Sequence, residues 1–207
     1  MNTLHLYFKS NMKSKRKKIL NVGGGPTRTL PKIYSNYDQD LLDIDPNVQP
    51  DILCDARKLT TLPARKYDAI HCSHTLEHFY VHETHEVLKG FLHVLKSDGH
   101  AHIVVPDMDY VIKDYVLKQA DINDTAYMAG TIKITYHDII YGWGKMISNG
   151  NLFYAHKCGF TSKSITKLLK QVGFKTVLTA CDGFSNIYAF AFKSKPDNIT
   201  RRMLGCL

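Results

Sequence analysis

The sequence predicts an α/β protein with a seven-stranded, mostly parallel β-sheet and helices on both faces. From Lys18 onward, short apolar segments of strand length alternate with segments of helical periodicity, which is the pattern of a parallel sheet covered on both sides. The first strand runs into three consecutive glycines, Gly23 to Gly25, and Asp43 stands near the end of the second strand. With 207 residues, of which 44% are hydrophobic, the chain is long enough for one domain with a sizeable core.

The apolar segments that read as strands are residues 19–22, 40–44, 51–54, 67–72, 100–105, 174–179 and 187–193. Helices are predicted at about 27–34, 81–95, 110–119 and 161–172. In segment 81–95 the apolar residues recur at helical spacing, and the following Ser-Asp-Gly sequence is expected to end the helix. In the last helix Thr161 is a candidate N-cap, and Gly173 is the expected stop.

The chain is expected to form a single domain over residues 18–195, preceded by a basic lead-in (1–17) and followed by a loose tail (196–207). Residues 120–160 are rich in glycine and aromatic residues, which suits a lid or a substrate-facing insertion better than sheet. These aromatic residues predict either a wall for a substrate or a dimer interface, so a monomer and a homodimer both stay open. They are Tyr136, Tyr141, Trp143, Phe153 and Tyr154.

The charge and composition of the chain limit the classes of partner and the cellular compartment that we expect. The formal net charge of +8, with basic residues concentrated in KSKRKK (13–18) and in Lys163, Lys167, Lys170 and Lys175, favours anionic partners. No apolar run is long enough for a membrane span, and no secretory signal is recognisable at the N-terminus. Five cysteines are an odd number without a CxxC pair. We therefore expect a cytoplasmic protein with no membrane partner.

Polar residues and glycines follow the first four strands, where the carboxyl ends of parallel strands form ligand sites. Bare glycine amides can approach a ligand closely, and a carboxylate on the neighbouring strand can accept both hydroxyls of a ribose. Asp55 is expected to meet an adenine amino group, and Leu76 to sandwich the adenine ring. The residues that we expect to converge on this nucleoside site are Gly23, Gly24, Gly25, Asp43, Asp45, Asp55, Ala56, Ser73, His74 and Leu76.

Over residues 18–107 the sequence resembles the class I S-adenosylmethionine-dependent methyltransferases. The similar segments are LNVGGGP, LLDIDP, DILCDA, YDAIHCSHTLEHF and HVLKSDGHAHIVVPD, and the LEHF and VPD segments resemble a small subgroup of methyltransferase type 11. The resemblance implies a Rossmann-like fold, S-adenosylmethionine as cofactor, and methyl transfer to an O or N atom of a small-molecule or sugar-type acceptor.

Two positions depart from the family pattern. Asn21 stands where the family usually carries an acidic residue, and a third spaced glycine is missing near Thr27. Asn21 can still hydrogen-bond a glycine-loop amide or the amino group of the cofactor, but it carries no charge. A methyltransferase-like binding module without turnover is therefore one alternative, and a nucleic-acid (RNA) methyltransferase that binds through KSKRKK is another.

Methyl transfer from a sulfonium is an in-line displacement, so the enzyme mainly aligns donor and acceptor and excludes water. A hydroxyl or protonated amine acceptor also needs a base, and imidazole suits that role near neutral pH. The candidate bases are His156, beside the aromatic insertion, and His74 and His78, near the expected methyl position.

His74 to His78 also match HxxEH, the inverted zinc-protease motif. That motif requires a long helix with a third ligand downstream, whereas here it follows directly on a predicted strand. The sequence therefore predicts no metal site.

Overall fold

The computed structural model describes residues 16–205. Most of the basic lead-in, including Lys13 to Lys15 of the KSKRKK run, and residues 206–207 lie outside the described residues. Between residues 16 and 205, no helix has the length and apolar character required to cross a bilayer.

Nine strands occur within residues 16–205, and seven of them form one sheet. The strands are β1 (Lys18–Val22), β2 (Asp38–Asp43), β3 (Ile52–Leu53), β4 (Tyr67–Ser73), β5 (Leu95–Pro106), β6 (Thr125–Ala129), β7 (Ile132–Thr135), β8 (Thr176–Cys181) and β9 (Asn186–Phe192). The sheet order is β3-β2-β1-β4-β5-β9-β8. β1 to β5 pair in parallel, while β9 is antiparallel to both β5 and β8. The predicted fold class is confirmed.

The helices of the described residues are α1 (Val81–Val94), α2 (Met108–Leu117), α3 (Tyr136–Tyr141), α4 (Gly144–Ser148), α5 (Ser162–Val172) and α6 (Asn198–Met203). As expected, Thr161 caps α5 by accepting a hydrogen bond from the backbone N–H of Ser164, and Gly173 ends this helix with a φ of 125°. Short 3₁₀ turns cover 32–34, 46–48, 56–61, 76–78 and 152–154.

The main core lies on the sheet face that α1, α5 and the 3₁₀ segment 56–61 cover. Fully buried side chains of this core include Leu20, Ile70, Phe91 and Leu169. On the opposite face, Tyr34 packs with Ile19 and Ala69, and Leu204 contacts this smaller cluster. Both faces of the central strands are therefore covered, which explains why most residues of β1 and β4 are buried.

Four segments differ from the sequence-based expectation. Ser97 to Gly99, expected to end α1, instead lie within β5, which begins directly after the helix at Leu95. No helix covers residues 27–34; only Lys32–Tyr34 form a 3₁₀ turn, because Pro31 lacks an N–H and forces the residue before it out of helical conformation. The insertion at 120–160 contains the β6–β7 hairpin as well as helices. The tail after Pro196 forms α6, which Asp197 caps through the N–H of Thr200.

Candidate active site

The glycine loop follows β1 and lies at the carboxyl edge of the sheet. Gly23 and Gly25 have φ values of 69° and 59°, a backbone conformation that residues with a side chain rarely adopt. The N–H of Gly23 donates to the carbonyl of Leu42 on β2 (2.8 Å), and a Cβ at Gly23 would collide with the Thr75 side chain. The loop therefore needs glycine here both for its conformation and for the close approach of Thr75.

Asn21 lies beneath the glycine loop and not in the ligand cleft. Its side chain is only 1% exposed, and a Cβ at Gly24 would collide with its amide group. The Nδ2 atom has no hydrogen-bond partner among the described residues. Asn21 thus supports the loop from below, and Gly24 is required because the amide fills the space under it.

Asp43 ends β2 and faces the loop. Its Oδ2 atom accepts a hydrogen bond from the N–H of Gly25 (3.3 Å), and Oδ1 accepts one from the N–H of Asp45 (3.0 Å). Asp45 in turn caps the turn that follows by accepting from the N–H of Asn47 (2.9 Å). Each carboxylate oxygen has two lone pairs, so Asp43 is held in place and still has acceptor capacity toward the cleft.

Asp55 and Arg57 form an ion pair at the end of β3. The carboxylate of Asp55 accepts from the backbone N–H and from Nε of Arg57, and Arg57 also pairs with Glu83 of α1. The hydrogen bond from the Arg57 side chain holds the pKa of Asp55 below its usual range, although burial acts against it. The carboxylate of Asp55 is therefore charged at neutral pH and fixed at the wall of the cleft.

A cleft of about 200 Å³ opens between these residues. Seven of the residues expected from the sequence line it: Gly23, Gly25, Asp43, Asp45, Asp55, Ala56 and His74. Asn21, Gly24, Ser73 and Leu76 are not among its lining residues. Leu76, expected to contact adenine, is fully buried in the main core, and Phe79, one 3₁₀ turn later, lines the cleft in its place.

Sequence reasoning missed several further residues of this cleft. Val48, Arg57, Phe79, Glu83 and Lys157 all line it. The sequence did contain an indication that Arg57 belongs to the cleft, because Arg57 follows Asp55 by two residues and can pair with it. The sequence contained no such indication for Lys157, since only the fold brings the insertion next to the glycine loop.

His74 follows β4 in a left-handed conformation (φ 49°), which is strained for a residue with a side chain. Its Nδ1 atom lies 3.3 Å from Oε1 of Glu77, whose side chain is 1% exposed. Burial alone raises the pKa of Glu77, but contact with His74 and the charges of His74 and His78 outweigh it and lower that pKa. Conversely, Glu77 raises the pKa of His74 against the effect of burial.

His78 and His156 come from distant segments, and their rings lie in contact with centroids 4.9 Å apart and planes inclined at 56°. The N–H groups of Lys157 and Cys158 donate to the carbonyl of Glu77 (2.8 and 3.2 Å), which ties the insertion to the turn after β4. Nδ1 of His156 lies 2.9 Å from the carbonyl oxygen of Ile139. Burial lowers the pKa of His156, although the charge of Glu77 opposes this shift, so its imidazole is neutral at pH 7.

A second pocket of about 230 Å³ adjoins the cleft and shares His74, His78 and Tyr154 with it. Its other lining residues are Pro106, Tyr127, Ile134, Asp138, Ile139, Trp143, His156, Ser185 and Asn186. All three candidate catalytic histidines therefore lie at one junction. Of the aromatic residues expected to form a wall, Trp143, Phe153 and Tyr154 line one or both pockets, whereas Tyr136 is buried against α2 and Tyr141 is exposed.

The family model for the methyltransferase domain matches residues 3–179 of the chain. The comparison with curated proteins finds no match. Among solved structures, a SAM-dependent methyltransferase from Archaeoglobus fulgidus is similar with a TM-score of 0.56 and 14% identity, over 86% of each chain.

Two Burkholderia thailandensis structures are similar as well. One is the 1,6-didemethyltoxoflavin-N1-methyltransferase with bound 1,6-didemethyltoxoflavin and S-adenosylhomocysteine (TM-score 0.53, 14% identity, 87% of this chain and 72% of that one). The other is an O-methyltransferase family protein (TM-score 0.53, 13% identity, 89% of this chain and 53% of that one). At these identities the likeness concerns the fold alone.

Proposed function

The chain belongs to the methyltransferase domain family and is an S-adenosylmethionine-dependent methyltransferase, and we propose that it methylates an O or N atom of a small-molecule or sugar-type acceptor. One observation carries this proposal: the glycine-loop cleft and the second pocket meet at His74, His78 and Tyr154. A donor in the first space and an acceptor in the second would face each other at this junction.

The cleft fits the adenosyl part of the cofactor. Gly23 and Gly25 leave their backbone within reach of a ligand, and Asp43 has free lone pairs for the two ribose hydroxyls. The apolar side chains of Val48 and Phe79 line the same cleft and provide surfaces against which a purine ring can pack. We therefore assign the sugar to Asp43 and the base to the space between β3 and Phe79.

S-adenosylmethionine supplies a methyl group on a positively charged sulfur, and transfer removes that charge. The residues of the chain then need to hold the acceptor in line, keep water out and take up a proton when the acceptor is a hydroxyl or a protonated amine. Trp143 and Tyr154 provide apolar walls for the acceptor, and the histidines at the junction are the groups that can take the proton.

A small acceptor agrees with the second pocket. Its volume of about 230 Å³ holds one small ring or sugar, and both apolar and polar side chains line it. The structure of the 1,6-didemethyltoxoflavin-N1-methyltransferase, which has a similar fold, contains 1,6-didemethyltoxoflavin together with S-adenosylhomocysteine, so this fold can hold a second ligand beside the cofactor product.

Isothermal titration calorimetry with S-adenosylhomocysteine tests the cofactor assignment. We expect one site per chain, loss of at least tenfold in affinity for Asp43→Ala, and unchanged affinity for the control Asp98→Ala, because Asp98 is exposed and does not line the cleft. Absence of binding by the wild-type protein would contradict the proposal and favour a module without turnover.

An assay of S-adenosylhomocysteine release with panels of small hydroxylated compounds, amines, sugars and RNA tests the acceptor class. Turnover on small molecules is the expected result. Turnover on RNA alone, with binding that weakens as salt rises, would contradict it and favour a nucleic-acid acceptor.

A further inference from the structure

Three potential metal ligands converge where the two pockets meet. Glu77 and His78 belong to the 3₁₀ turn after β4, and His156 comes from the insertion. One ligand atom from each of these side chains lies within 4.8 Å of the other two. Backbone hydrogen bonds from Lys157 and Cys158 to Glu77 fix the two segments together, so the fold itself holds the cluster.

The carboxylate of Glu77 lacks a donor that would satisfy it. Its side chain is 1% exposed, and among residues 16–205 no group donates a well-aligned hydrogen bond to either oxygen. The nearest cationic group is Nδ1 of His74, at 3.3 Å, on a side chain that is half exposed. A carboxylate removed from water is costly unless a cation neutralises it, so the geometry indicates that a cation belongs beside Glu77.

His156 is oriented as metal-binding histidines commonly are. With Nδ1 2.9 Å from the carbonyl oxygen of Ile139, the ring donates its N–H to the backbone and keeps the lone pair on Nε2. A backbone carbonyl that fixes the tautomer of a ligating imidazole is a common outer-shell arrangement in metal sites.

The carbonyl oxygens beside His78 constrain how this residue binds a cation. Each of its ring nitrogens lies 3.1 Å from a carbonyl oxygen, that of Ala155 for Nδ1 and that of His74 for Nε2. A neutral imidazole has only one N–H, so one nitrogen has no proton to donate to the carbonyl that faces it. A metal ion on that nitrogen requires the facing carbonyl to turn away, whereas in the metal-free protein a second ring proton would satisfy both carbonyls.

We propose that Glu77, His78 and His156 bind a divalent transition-metal ion. Two imidazole nitrogens and one carboxylate oxygen suit Zn²⁺ and related first-row ions, whereas Mg²⁺ and Ca²⁺ prefer oxygen ligands only. The site differs from the HxxEH zinc-protease arrangement because His156, and not His74, completes it. Three protein ligands leave a coordination position open, as in catalytic zinc sites.

The open position would face the acceptor, since His78 and His156 both line the second pocket. An acceptor hydroxyl bound there would lose its proton more readily, with the proton passing to His74 or to water, and its oxygen would then form the new bond to the methyl group as the carbon–sulfur bond breaks. This part of the inference rests on the proposed function and narrows the acceptor to a hydroxyl or another oxygen ligand. Metal binding itself does not depend on the function.

Titration of chelator-treated, tag-free full-length protein with Co²⁺ and with Zn²⁺ tests the site. We expect one equivalent of Co²⁺ to give visible d–d absorption and one equivalent of Zn²⁺ to displace it. Glu77→Gln and His156→Gln should each weaken binding by roughly tenfold or more. The control His82→Gln, at an exposed position on α1, should bind as the wild type does, and His74→Ala, which removes a neighbour of Glu77 but no ligand, should lose less affinity than His156→Gln.

The proposal is overturned if the wild-type protein takes up neither ion, which would mean that a proton on His78 or His74 neutralises Glu77. It is also overturned if His74→Ala loses the metal while His156→Gln keeps it. Because Glu77→Gln changes a buried group, circular dichroism of each variant checks that it is folded, and His156→Gln provides the independent result. S-adenosylhomocysteine binding, measured on the same samples, separates failure of the metal site from failure of the proposed function.

Discussion

The amide of Asn21 lies directly beneath Gly24, so close that a single Cβ at Gly24 would overlap it. Asn21 is a neutral residue at a position where the family usually carries a carboxylate. Its contact with Gly24 explains how the glycine loop remains close-packed without that carboxylate. Asn21 is 1% exposed and does not line the cleft, so we expect it to affect a bound ligand only through the backbone that it supports.

The Gly24–Asn21 contact predicts that a substitution at Asn21 reduces the loss of stability caused by a substitution at Gly24. Gly24→Ala should lower the free energy of unfolding by roughly 1–3 kcal/mol, because the new methyl group overpacks the space that Asn21 fills. In the Asn21→Ala/Gly24→Ala double variant that space is vacated, so the loss should be clearly smaller than the sum of the two single losses. Urea denaturation of the four proteins measures this, and strictly additive losses would count against the contact.

Substitutions at Leu76 and at Phe79 should differ in their effects, the first lowering mainly stability and the second mainly cofactor affinity. Leu76→Ala removes a fully buried core side chain and should lower the free energy of unfolding by roughly 2–5 kcal/mol, with little change in S-adenosylhomocysteine affinity for the folded protein. Phe79→Ala should cost less stability but lower that affinity several-fold, because Phe79 lines the cleft. Calorimetry and urea denaturation measure both quantities, and the reverse pattern would contradict the assignment.

Trp143 is the single tryptophan of the chain and lines only the second pocket. Its fluorescence should therefore report binding of an acceptor, and its ring lies 5.9 Å from that of Tyr154 at the pocket junction. Trp143→Ala should raise the KM for the acceptor and leave S-adenosylhomocysteine affinity unchanged. Loss of cofactor binding in this variant, without unfolding, would show that the two pockets are not separate.

Three buried histidines should make the protein sensitive to mild acid. Burial lowers the pKa of His71 and His100 to about 4 and that of His102 to about 3. An unfolded histidine has a pKa near 6.5, so the unfolded chain takes up protons first as pH falls. The free energy of unfolding should therefore be largest above about pH 6.5 and decrease as pH falls toward about 4.

His102→Phe tests this pH dependence. The ring of His102 stacks on Phe190 (centroids 4.2 Å apart), and neither of its nitrogens has a hydrogen-bond partner among the described residues, so phenylalanine is a close substitute. The variant should recover roughly 2 kcal/mol of the stability that the wild type loses between pH 7.5 and 5. Denaturation at both pH values measures it, with exposed His82→Phe as the control; an unaltered pH dependence of His102→Phe would contradict the burial argument.

Local patterns in the sequence were sufficient to predict the strands of the main sheet and part of the candidate site. Apolar runs predicted all seven strands of the main sheet, and Thr161 and Gly173 marked the ends of α5, because strand burial and helix capping depend on neighbouring residues. The ends of successive parallel strands necessarily meet at one edge, so the sequence alone was enough to group Gly23, Asp43 and Asp55.

Other parts of the site depend on contacts that no local pattern encodes. The 3₁₀ turn 76–78 directs Leu76 into the core and leaves Phe79 at the cleft. The pairing of His156 with His78 depends on backbone hydrogen bonds between the insertion and Glu77, which link residues about 80 positions apart in the sequence. The buried carboxylate of Glu77 likewise becomes evident only once its surroundings are known.

A crystal structure with S-adenosylhomocysteine would show whether the cofactor occupies the glycine-loop cleft and faces the second pocket. We expect the ribose hydroxyls within hydrogen-bond distance of Asp43, the adenine between β3 and Phe79, and the sulfur directed at the junction formed by His74, His78 and Tyr154. A ligand bound elsewhere, or one in this cleft whose sulfur points away from the second pocket, would contradict the proposed function.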